Sequence, residues 1–67
     1  MTPEQGLDLE ALEAMVDRHG LDGVLSILTE ICNEKSEHVL VNWQDKALAK
    51  NWTVNARVIE KLAAAIR

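Results

Sequence analysis

Apolar residues in this chain recur at helical spacing. Val24, Leu25, Leu28, Ile31, Cys32, Val39 and Trp43 fall on one broad face when wound at about 100° per residue. Farther on, Leu48, Trp52, Asn55, Ile59, Leu62 and Ile66 are spaced 4, 3, 4, 3 and 4, the interval of a coiled-coil seam. No run alternates with period two, Tyr and Phe are absent, and Pro3 is the single proline. The pattern predicts an all-α chain.

Punctuation divides that chain into three expected helices. In "LDLEAL", Asp8 can cap a helix N-terminus, with Leu7 and Leu12 placed as a hydrophobic staple. "LDGVL" repeats the Leu-Asp opening at Asp22, and Gly20 suits the left-handed residue that ends a preceding helix. Asp45 in "NWQD" offers a third cap. The expected helices therefore cover about 9–19, 23–43 and 46–65, with Thr2-Pro3-Glu4-Gln5 forming a short turn ahead of the first. A short connection makes the second and third antiparallel neighbours. The shorter N-terminal helix is expected to pack across that hairpin.

Aligning the two long seams sets Leu25 opposite Ile66, Leu28 opposite Leu62, Cys32 opposite Ile59, Val39 opposite Trp52 and Trp43 opposite Leu48. Trp43, Trp52, Leu48 and Val39 are thus expected to form the core or interface near the turn. The exception is a layer pairing Lys35 with Asn55, flanked by His38 and Asn42. Three explanations apply to it. Lys35 can snorkel, with its stem on the core and its ammonium in water. A polar layer can fix register and oligomeric state. Or Lys35, His38, Asn42 and Asn55 can line a binding pocket.

Length changes the picture next. A 67-residue chain is one small domain, 1–67, and domains of this size are marginal without a staple or a partner. Cys32 is the only cysteine, so no disulfide forms within one chain, and a lone thiol points to a reducing cytosol. No apolar run approaches the roughly 20 residues that span a bilayer, and the acidic opening "MTPEQGLDLE" is no signal peptide. A cytoplasmic location is the expectation.

Charge is asymmetric within a net of −4. Glu4, Asp8, Glu10, Glu13, Asp17 and Asp22 stand against Arg18 in the first third. Lys46, Lys50, Arg57, Lys61 and Arg67 stand against Glu60 in the last. The acidic head and basic tail can attract each other within one chain or between two. Binding to nucleic acid is disfavoured, because Glu30, Glu34 and Glu37 line the helix that would read a groove, and the basic stripe carries no interleaved aromatic.

Candidate chemistry is sparse. Glu34 and His38 lie one turn apart, but two ligands are short of the three or four of a zinc site, so no metal or other cofactor is expected. A core-facing Cys32 is an inert hydrophobe, and Gly6, Gly20 and Gly23 do not make a phosphate loop. No catalytic residue is expected, and the chain does not read as an enzyme.

One stretch carries a resemblance. "EICNEKSEHVLVNWQDKALAKNW", Glu30 to Trp52, resembles a recurring segment of short uncharacterised helical proteins of bacteria and their phages, through Glu34-Lys35, Glu37-His38, Asn42-Trp43-Gln44-Asp45, Ala49-Lys50 and Trp52. It covers about a third of the chain, and implies a small helical protein without transferring any activity. The functional expectation is a small cytosolic protein–protein interaction module acting as a homodimer with an unknown further protein partner. The alternative is a phage- or mobile-element-type inhibitor whose acidic face blocks a nucleic-acid-binding protein. A third reading is a small-molecule or metal sensor around Lys35, His38 and Asn42.

Overall fold

A computed structural model describes residues 2–66 and contains two helices, α1 (Pro3–Trp43) and α2 (Lys46–Ala65). The chain is all-helical, and the second half of α1 forms an antiparallel hairpin with α2. Three helices were expected, and this part of the reading is corrected: the segments about 9–19 and 23–43 belong to one helix with a kink.

Two local details account for the merger. The helix begins at Pro3, ahead of Asp8, because Thr2 supplies a complete capping box. The backbone N–H of Gln5 donates to Thr2 Oγ1 at 3.2 Å, and the Gln5 side chain accepts from the Thr2 N–H at 3.1 Å. With the orphan amides satisfied there and proline at the first helical position, Asp8 has no end to cap. At Gly20 the backbone leaves helical angles (φ 75, ψ 166) for one residue only. No loop follows, so the axis is redirected within one helical segment, and no residue between Pro3 and His19 is buried as packing across the hairpin would require. These angles belong to a region essentially restricted to glycine. A Cβ added there would also lie 2.9 Å from Asp22 Oδ1. At Gly23 the inside of the bend leaves as little room, since a Cβ would meet His19 Cβ at 2.9 Å.

The turn agrees with the sequence reading. Gln44 ends α1 in the left-handed region (φ 52), its N–H donating to the Leu40 carbonyl at 3.2 Å. Asp45 caps α2 by accepting from the Leu48 N–H at 3.0 Å.

The contact between the two helices is built from small side chains. Val24, Thr29 and Cys32 of α1 and Ala49 and Ala56 of α2 are buried, and Ala56 is the least exposed at 2%. Ala49, Ala56 and Ala63 recur every seven residues, with Trp52, Thr53 and Ile59 partly buried beside them. This seam is rotated by roughly 60° from the expected one, so that Trp52, Ile59 and Ile66 stay partly buried. Leu48, Asn55 and Leu62 lie outside it and are exposed. The physical reason is close approach: alanines let two backbones draw together, and backbone-level contacts then replace leucine-on-leucine packing.

Ser36 shows how close. Its Oγ donates to the Ala49 carbonyl across the hairpin at 2.8 Å and lies 2.8 Å from Thr53 Oγ1. Thr53 Oγ1 lies 3.1 Å from the same carbonyl, so two hydroxyl protons are distributed over three short contacts. The polar layer of the hairpin is therefore Ser36 with Thr53. Neither hydroxyl is left without a partner, which removes the penalty for burying them.

Outside the hairpin the chain is open. Between Pro3 and His19 no residue is buried, although Met15, Val16 and Gly6 are partly covered. The Cα radius of gyration is 14.0 Å, against about 11 Å for a compact domain of this length. The extents, 36 × 31 × 17 Å, describe a flat body with an arm.

Candidate interaction surface

The residues singled out from the sequence fall on the outside of the hairpin. Lys35 is exposed, and its Nζ stands 5.7 Å from the centroid of the Trp52 ring. That is the snorkelling arrangement with a cation–π contact added. Asn55, expected opposite Lys35, is exposed on the flank of α2. The expected Lys35–Asn55 layer is thus replaced by Ser36 and Thr53.

His38 and Asn42 meet on the outer face of α1. Asn42 Nδ2 donates to the His38 carbonyl at 3.0 Å and lies 3.0 Å from His38 Nδ1. An amide nitrogen can only donate, so the contact is a hydrogen bond in the tautomer whose Nδ1 accepts. Glu34, Glu37 and Val41 complete a shallow groove around the pair. Lys35, His38 and Asn42 share α1 with this groove, and Asn55 sits apart on α2. Among the described residues, no three His, Cys, Asp or Glu side chains converge on one point. No helix there is long and apolar enough to cross a membrane.

A second cleft opens between α1 and α2 near their open end, lined by Asp22, Ser26, Thr29, Glu60, Ala63 and Ala64. Its hydroxyls are engaged within their own helix: Ser26 donates to the Asp22 carbonyl and Thr29 to the Leu25 carbonyl, each at 3.1 Å.

The turn residues divide. Val39 and Trp52 are partly buried, Leu48 is 43% exposed and Trp43 is 74% exposed. Burial of Trp43 within the hairpin is corrected: the left-handed Gln44 ends the helix immediately after it, and its indole projects beyond the contact.

Apolar exposure is the dominant surface feature. Leu7, Leu9 and Leu12 are open on the arm, Val41 and Trp43 at the turn, and Val54, Val58 and Leu62 on the outside of α2. The accessible area is 5486 Å² for 7.5 kDa, where a compact monomer of that mass exposes about 4,200 Å². Apolar residues scattered singly are ordinary on a protein surface, but contiguous apolar faces mark interaction sites. No signal in the large-residue pattern pointed to these faces. The clue was the small-residue heptad Ala49, Ala56 and Ala63, which draws α2 inward on that side and turns Val54, Val58 and Leu62 out. Comparison with protein-family models, with curated proteins and with solved structures found no match.

Proposed function

We propose that the chain is a protein–protein interaction module whose working form is a homodimer. The observation that carries this reading is the surplus of roughly 1,200 Å² of surface over a compact monomer. A standard interface takes about 800 Å² from each partner, so the surplus is large enough to supply one. The exposed residues are of the kind an interface buries: leucine and valine ridges and Trp43, an aromatic type enriched at interface centres. The groove around His38 and the cleft around Ser26 are open and carry acidic side chains in their linings, Glu34 and Glu37 in one and Asp22 and Glu60 in the other, and they rank behind the apolar faces as the basis of function.

Thermal melting at several protein concentrations tests the reading. If the folded unit is a dimer, mass action raises the melting temperature as concentration increases. A melting temperature that stays fixed over a hundredfold range of concentration contradicts it.

A further inference from the structure

Two ridges, one on the arm and one on α2, have complementary composition. On the arm, Leu9, Leu12 and Val16 line one side, and Glu10, Glu13 and Asp17 run about 100° round from them. On the outside of α2, Val54, Val58 and Leu62 form an apolar ridge, and Lys50, Arg57 and Lys61 run about 90° round from it. All six charged residues are exposed, as are Leu9, Leu12, Val54, Val58 and Leu62. The lengths also match. Seventeen residues of arm, 3–19, span about 25 Å, and the 20 residues of α2 span about 30 Å.

We propose that the arm of one copy docks on the outer face of α2 of a second copy, apolar ridge on apolar ridge and acidic ridge on basic ridge, with the partner's arm docked reciprocally. The proposal rests on the homodimer reading above and names its surfaces. The second copy is the occupant because both halves of the match, sign of charge and apolar width, are carried by this chain. A two-fold pairing satisfies both copies at once and closes the assembly. The charged ridges lie to opposite hands of their apolar ridges, which brings acid to base when arm and α2 run parallel. The kink at Gly20 matters to this pairing, since no residue of the arm it sets off is buried, which leaves the ridge open to a second copy.

The experiment is a reciprocal charge exchange on the full chain. One variant carries Glu10→Lys, Glu13→Lys and Asp17→Lys; the other carries Lys50→Glu, Arg57→Glu and Lys61→Glu. Each alone sets like charges against each other at both contacts. Its self-association should weaken about ten- to a hundredfold, from about four register-matched exposed pairs, two at each contact, each contributing a fraction of a kcal/mol. Mixed one to one, every arm meets an α2 of opposite charge, and a heterodimer should form with near wild-type affinity. That recovery should fade toward 1 M salt, where screening falls to about 3 Å. Circular dichroism of each variant establishes that helix content is kept. The single exchange Glu13→Lys with Arg57→Glu repeats the test with the least disturbance if a triple variant loses helix. Wild-type self-association of both variants, or weakened variants that fail to recover on mixing, overturns the docking while leaving the dimer intact. A wild-type chain that never self-associates overturns both.

Discussion

Ala56→Leu probes the close helix approach most sharply. Ala56 is 2% exposed at the centre of the α1–α2 contact, so leucine's three added carbons have no solvent to enter. They must push the helices apart or adopt a poor rotamer, at a cost of about 1–3 kcal/mol. A domain of 67 residues has roughly 3–10 kcal/mol in all. At about 4–8 °C per kcal/mol, a loss near 2 kcal/mol lowers the melting temperature by roughly 8–16 °C. Separation of the backbones would also break the 2.8 Å bond from Ser36 to the Ala49 carbonyl. Asn55→Leu is the control one residue away. Asn55 is exposed, so that change should stay within about 0.5 kcal/mol. Both variants are melted by far-UV circular dichroism at one fixed protein concentration. The reasoning is refuted if Ala56→Leu melts at or above the wild-type temperature while Asn55→Leu changes stability by more than 1 kcal/mol.

Two further substitutions test backbone features. Gly20→Ala should cost about 1–3 kcal/mol, since φ 75 with ψ 166 is closed to alanine, and urea denaturation at equilibrium measures it. Gln44→Gly should raise stability by up to about 1 kcal/mol in the same assay, because glycine takes φ 52 without the left-handed penalty, offset in part by its freer unfolded chain.

The turn was legible because its signals are local. Asp45 caps the next helix through its own side chain, so the limits of α2 follow from residues adjacent in sequence. The break at Gly20 was not legible as a kink. The same Gly-Leu-Asp letters serve a helix end followed by a loop and a single off-helix residue, and only the backbone angles distinguish them. The seam was misplaced for a different reason. Weighting Leu48, Leu62 and Trp43 by size selects the face that buries most area, but Ser36, Ala49 and Thr53 gain from backbone proximity, which is not a function of side-chain size. Lys35 was recognised as out of place among apolar neighbours, and its position over Trp52 explains how the helix tolerates it. His38 and Asn42 proved to be partners, a pairing their spacing of four permits.

The mass of the wild-type chain in solution tests the homodimer most directly. Light scattering over a hundredfold dilution from the micromolar range should return twice the 7.5 kDa of one chain, falling toward one chain only at the lowest concentrations. A mass of one chain at every concentration would contradict the account.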